Sequence, residues 1–164
     1  MTFTNRTAGF VWAFAFVWLS LLVAFTVLLA RDGPPEGYSP LTVTAALAVF
    51  WIAGLALGGV ASAKPCYVAS VDLSGATLLW QYPFRRIRIT IPLDQIEPPE
   101  VVDGRDSDGD AYFFARLTLP ALPPFDLVEG RIRSESDGAC RAFREEVERL
   151  RGASRAEQRE SAAP

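Results

Sequence analysis

Residues 7–30 and 38–63 run for 24 and 26 residues without a charged side chain, and both stretches are mostly apolar. About 20 apolar residues in a helix match the ~30 Å hydrocarbon core of a bilayer. The seven residues between them, 31–37 (RDGPPEG), contain two prolines and two glycines, which stop a helix and reverse the chain. Pro40 suits the first turn of a second helix, where a missing N–H costs nothing. The pattern predicts a two-helix transmembrane hairpin over 7–63. The first run is longer than the apolar core of about 7–15 residues in a signal peptide, and a second run follows at once, so it is read as a retained helix.

After Lys64-Pro65 the period changes. Residues 67–71 read as a strand, 72–75 as a turn and 76–82 (ATLLWQY) as a second strand stopped by Pro83. Residues 84–91 (FRRIRITI) alternate, with Ile87, Ile89 and Ile91 on one side and Arg86, Arg88 and Thr90 on the other. That is a half-buried strand with a wet basic face. A short irregular piece at 93–96 precedes a strand near 98–102. Residues 103–110 (DGRDSDGD) form a polar hairpin loop, 111–119 another strand, and 125–132 the last strand or pair.

The pattern becomes helical in 137–152, where Cys140, Phe143, Val147 and Leu150 make one apolar stripe. Arg141 with Glu145, Arg144 with Glu148, and Glu145 with Arg149 are spaced as i,i+4 pairs. Ser136 or Asp137 can cap its start and Gly152 can end it. The domain reading is a cytoplasmic N-terminal tail (1–6), the hairpin (7–63), one soluble domain (64–152) and a disordered tail (153–164) without apolar period.

Six or seven antiparallel strands closed by one helix, the segment 89–96 (ITIPLDQI) and Phe143 in the terminal helix resemble the bacterial pleckstrin-homology-like (PH-like) domains. The resemblance covers 64–152, and in that family such domains often follow two or more membrane helices. It implies a membrane-anchored α+β chain whose soluble part is an antiparallel PH-like β-sandwich or barrel capped by a C-terminal amphipathic helix. It also implies a scaffold or interaction module, often oligomeric, rather than a catalyst. The chain departs from lipid-reading pleckstrin domains at its first strand-to-strand loop. Residues 72–75 (DLSG) carry no Lys or Arg, so phosphoinositide recognition does not carry over.

Composition narrows the chemistry. The net charge is −3, and 64–152 holds 12 basic against 15 acidic residues, which argues against a nucleic-acid binder. Zero histidines remove His-based acid–base catalysis and His metal ligation. Cys66 and Cys140 are too few for a zinc site and read as small buried side chains. The apolar runs contain no Asp, Glu, Lys or Arg, which argues against a transporter or proton path. No nucleophile–base pair and no phosphate loop is recognisable, so the expectation is no enzyme, no cofactor and no metal.

Lys and Arg bias sets the orientation. Arg6 and Lys64, with Arg85, Arg86 and Arg88 further on, outnumber Arg31 of the link. Both termini and the soluble domain are therefore placed on the cytoplasmic side of an inner or cell membrane.

Four groups of residues are candidate sites. Arg85, Arg86 and Arg88 are a basic cluster for anionic headgroups or a partner, against a solvated strand face or local ion pairs. Gly54 and Gly58, extended by Ala61 and Ser62, form a small-residue helix face, for packing inside the hairpin or against another chain. Asp106, Asp108 and Asp110 around Gly109 have calcium-loop spacing, but Leu117 stands where an EF-hand needs Glu, so a solvated hairpin tip is expected. Trp80, Tyr112, Phe113 and Phe114 are core or a partner surface.

Two function classes follow. One is an interaction module, binding a membrane or cytoplasmic protein or another copy of itself. The other is a peripheral sensor of anionic lipid acting through the arginine cluster.

Overall fold

The computed structural model describes residues 1–106, 108–120 and 122–161. The chain forms two compact units. One contains Thr7–Pro65 together with Tyr82–Phe84, and the other contains Met1–Arg6, Cys66–Gln81 and the residues from Arg85 onward.

The first unit is the apolar hairpin. Helix α1 spans Thr7–Asp32 and helix α2 spans Pro40–Ala63. Among the described residues these two helices are long and apolar enough to cross a membrane. Gly33 ends α1 with φ of 78°, a left-handed geometry that costs glycine little, and its N–H reaches Leu29 O at 3.1 Å. Ser39 caps α2, accepting from Thr42 N at 3.1 Å, with Pro40 in the first turn. The helices are joined across by Trp51, whose Nε1 donates to Thr26 Oγ1 at 3.0 Å, and by Trp18 against Phe50, ring centroids 6.1 Å apart.

The second unit has two antiparallel sheets. Sheet A is ordered β1-β2-β3-β4, with β1 Thr2–Asn5, β2 Cys66–Asp72, β3 Gly75–Gln81 and β4 Arg86–Ile91. Sheet B is ordered β5-β6-β7, with β5 Glu100–Arg105, β6 Ala111–Leu117 and β7 Phe125–Gly130. A 3₁₀ turn at Leu93–Gln95 lies between the sheets in sequence, and helix α3, Arg133–Ser161, follows β7. Among the described residues no closed barrel forms: β4 pairs only with β3, and β5 only with β6.

The core of this unit follows the strand alternation. Ala69, Val71, Ala76, Leu78 and Trp80 point inward from sheet A, and Ala115, Leu117, Phe125 and Leu127 from sheet B. Trp80 stands edge-on to Phe125 at 5.0 Å, and its Nε1 donates to Pro124 O. The stripe expected in the terminal helix is present, since Cys140, Phe143, Val147 and Leu150 are all buried.

Three expectations are corrected. Residues 2–5, expected as a tail, are β1, pairing antiparallel with β2 from Thr2↔Ser70 to Asn5↔Tyr67. Phe3 meets Phe143 at 5.4 Å, and Asn5 Nδ2 donates to Asp126 O at 3.2 Å, so side-chain contacts as well as the ladder hold the strand. The hairpin is therefore inserted between two adjacent strands of one sheet.

Second, α3 begins at Arg133, not 137, and continues beyond Gly152 to Ser161, through most of the expected disordered tail. A mid-helix Gly costs only about 1 kcal/mol. Next to it Arg151 pins the helix, donating to Leu93 O at 2.8 Å and Ile96 O at 2.9 Å. Third, β4 starts at Arg86, leaving Phe84 in the turn behind Pro83.

Candidate functional site

The arginine cluster lies on and just before β4, an edge strand. Arg86, Arg88 and Thr90 are exposed, whereas Ile87, Ile89 and Ile91 are half-buried. Among the described residues neither Arg86 nor Arg88 has an ion-pair partner. The register places Arg86 opposite Gln81 and Gln81 opposite Cys66, with Tyr67 opposite Asn5. Arg86 therefore sits at the end of sheet A where the chain leaves for α1 and returns from α2. The sequence pattern gave Phe84 no functional role. It is 94% exposed, the most exposed large apolar side chain described. The signal was present in the string YPFRR: an aromatic directly after proline cannot continue the preceding strand, and two cations follow it.

The small-residue face is directed into the hairpin. A Cβ added to Gly54 would stand 2.8 Å from Leu22 Cδ1 and 3.0 Å from Trp18 Cδ1 and Nε1. Gly58 has Leu19 Cδ1 at 3.5 Å from the same construction, and Ala61 is buried. Ser62 is exposed and donates to Gly59 O. We expect Gly54→Val to lower hairpin stability by about 1–3 kcal/mol through overpacking. Gly59→Ala, with open space around it, is expected to be nearly neutral. Thermal unfolding of both variants in detergent checks this.

The acidic loop is neutralised internally. Asp106 Oδ1 accepts from the backbone N–H of Asp108 and Asp110, each at 3.0 Å, and Arg131 bonds Asp106 Oδ2 at 2.5 Å. Arg131 also lies 3.8 Å from Asp108 and 3.5 Å from Asp110. Desolvation pushes the Asp106 carboxyl up, but the backbone donors of Asp110 and Asp108 and the Arg131 guanidinium outweigh it and hold it below the usual range. The loop's contribution is thus present above the ordinary carboxylate pKa and lost as pH falls through the lowered one. Among the described residues no group of acidic or thiol side chains is arranged to hold a metal ion. We expect millimolar calcium to give no heat of binding in calorimetry, and Arg131→Ala to loosen the β5–β6 hairpin, seen as faster amide exchange at 104–111.

The aromatic residues divide between core and surface. Trp80 is fully buried. Tyr112 and Phe114 share a face of β6, edge to face at 5.2 Å, with the Arg116 guanidinium 5.0 Å from the Phe114 centroid. Phe113 points the other way, with Arg133 5.8 Å from its ring. Sequence reading missed that Arg116 continues this row into an ion pair. Its Nε donates to Asp126 Oδ1 at 2.6 Å and its Nη2 to Oδ2 at 3.1 Å, and the Asp126 side chain is only 7% exposed. The Asp126 hydrogen bond, then its charge, raises the Arg116 pKa against the effect of desolvation.

Beside α3 a groove of about 530 Å³ is lined by Glu100, Arg133, Asp137, Cys140, Arg141 and Arg144, among others. Its charges are mixed, and burial, then the Asp137 carboxylate, pushes the Cys140 thiol up. A thiol so placed is a weak nucleophile. Cys66 and Cys140 are both free and buried. Further along α3, Glu146 is held at about 2, first by the Arg149 hydrogen bond and also by the chain's amino group. Glu146 thereby ties α3 to the amino group that precedes β1. Comparison of the chain with protein families, with curated proteins and with solved structures found no match.

Proposed function

We propose that the chain is a non-enzymatic integral membrane protein that holds a PH-like module at the cytoplasmic face of a bacterial membrane, where the module binds a protein partner or a second copy of itself. The observation that carries the membrane half is the exposure of the two apolar helices. Only 11% and 6% of their most apolar windows are buried, with Phe10 at 78%, Leu41 at 80% and Ile52 at 70% exposure. Apolar area of that extent is not left in water, and a helix apolar all round belongs in a core or a bilayer.

Four strands, then three, then a helix that covers them support the PH-like reading. The open edges of β4 and β5 support the interaction reading, because an unpaired edge accepts an added strand. The small-residue face is occupied by α1 at Gly54, so partner binding is assigned to the sheet edges. Confinement to the membrane raises the effective concentration of whatever is bound. The test is gentle purification from native membranes followed by native mass measurement. A stoichiometric partner or a homo-oligomer, either one lost on β4 edge substitution, is expected. A monomer carrying only lipid would contradict the interaction reading.

A second reading, contact with anionic lipid, is favoured by exposed Arg86 and Arg88, which lack carboxylate partners among the described residues.

A further inference from the structure

The β3–β4 turn combines three features. Phe84 is almost wholly exposed, although an aromatic ring is among the costliest side chains to leave in water. Arg85 and Arg86 follow it directly. Tyr82–Phe84 also fall in the same compact unit as the apolar hairpin, not with the sheets that flank them in sequence.

The register accounts for this grouping. β3 arrives at Gln81 and β4 departs from Arg86 at the end of sheet A that carries Asn5 and Cys66. The chain crosses from sheet to α1 through Arg6 alone and returns through Lys64 and Pro65. Within the hairpin unit Trp12 Nε1 donates to Lys64 O at 3.0 Å, and Trp and Lys are residue types that mark a membrane–water interface. The charge pattern is equally one-sided. Segments 1–30, 37–71 and 73–93 hold no Asp or Glu, yet carry Arg6, Lys64, Arg85, Arg86 and Arg88. In a chain of net charge −3, the segments that flank these strand ends are locally cationic in sequence.

We propose that the β3–β4 turn is a third membrane contact, in which Phe84 enters the interfacial layer of an anionic bilayer and Arg86 meets its headgroups. The inference rests on the reading that α1 and α2 span the bilayer. An aromatic ring beside cations suits that layer, with the ring among glycerol and upper acyl groups and the guanidinium at phosphate level. Arg88 lies two residues further along β4, about 7 Å from Arg86. The surface field decays over a Debye length of about 8–10 Å, so Arg88 acts more weakly than Arg86. Such a contact makes the attachment of the turn sensitive to lipid charge.

The test uses the full chain in vesicles of equal parts phosphatidylcholine and phosphatidylglycerol. Spin labels are placed singly at Phe84→Cys, at Ile52→Cys on α2, and at Leu73→Cys in the β2–β3 turn at the opposite end of the sheet. All three side chains are exposed, so folding is little disturbed, and the unsubstituted protein with its buried thiols is the labelling blank. Power saturation then compares access to oxygen with access to a water-soluble nickel chelate.

The expected result is that sites 52 and 84 favour oxygen and site 73 favours the chelate. Protection at site 84 is expected to weaken in pure phosphatidylcholine. In anionic vesicles it is expected to weaken with Arg86→Gln, and less with Arg88→Gln. Site 84 as open to the chelate as site 73, with site 52 in lipid, overturns this inference alone. Site 52 open to the chelate overturns the membrane reading and this inference with it.

Discussion

Phe143→Ala is expected to cost the two-sheet unit about 3–5 kcal/mol, the range for truncating a fully buried aromatic. Small domains are stable by only about 5–15 kcal/mol, so the loss removes from about a fifth to all of that margin. Phe143 is completely buried. It is an apolar contact between α3 and β1, meeting Phe3 at 5.4 Å. Its loss therefore opens a cavity beneath the helix and removes a main side-chain support of a four-residue strand. Urea unfolding in detergent, followed by near-ultraviolet circular dichroism, measures the loss. Phe143→Leu should recover most of it, because the volume is largely restored. The hairpin, which packs through Trp18, Phe50 and Gly54, should keep its helical signal in both variants.

Arg116→Ala is expected to cost about 2–3 kcal/mol. Removing one partner of a buried ion pair typically costs about 3–5 kcal/mol, and the cost is smaller here because the Arg116 side chain keeps 27% exposure. The penalty arises on Asp126, whose buried carboxylate would lose both of its hydrogen bonds to Arg116. The double variant Arg116→Leu/Asp126→Leu should be more stable than Arg116→Ala, since it buries no unpaired charge. A double-mutant cycle on the urea midpoint checks both statements. Equal loss in the single and double variants would assign the effect to packing against Phe114 instead.

The two helices were legible because an uncharged, mostly apolar run of this length reads as one continuous helix long enough to cross a bilayer. The runs 7–30 and 38–63 differ from α1 and α2 by two residues at each shifted end. The strands of the sheet unit were legible by alternation, most clearly β4. Their partners were not, because a period of two names the face of a strand and says nothing of its neighbour. β1 shows this at its extreme. Four residues, TFTN, carry too few positions to display a period, and their partner β2 lies beyond the whole hairpin in sequence.

The bounds of α3 were misjudged for the opposite reason. Charged residues at 133–136 and 153–161 dilute the apolar stripe, yet Arg151 secures the helix through carbonyls of the 3₁₀ region that no local pattern reveals. At the candidate site the arginines were visible as a cluster. Their sequence neighbour Phe84 was hidden by being read as the first residue of a strand, and Asp126 by sitting in an apolar run that conceals a buried ion pair.

The central claim is that a membrane hairpin interrupts one sheet, so β1 and the remaining strands share a side of the bilayer and the 31–37 link lies on the other. Single cysteines at Thr4, Ser74 and Glu36, treated with a membrane-impermeant maleimide in intact cells and again after permeabilisation, test it most directly. All three positions are exposed, and the native thiols are buried. The account predicts that Glu36→Cys is labelled in intact cells, while Thr4→Cys and Ser74→Cys are labelled only after permeabilisation. Labelling of Thr4→Cys and Ser74→Cys from opposite sides, or of all three from one side, would contradict it.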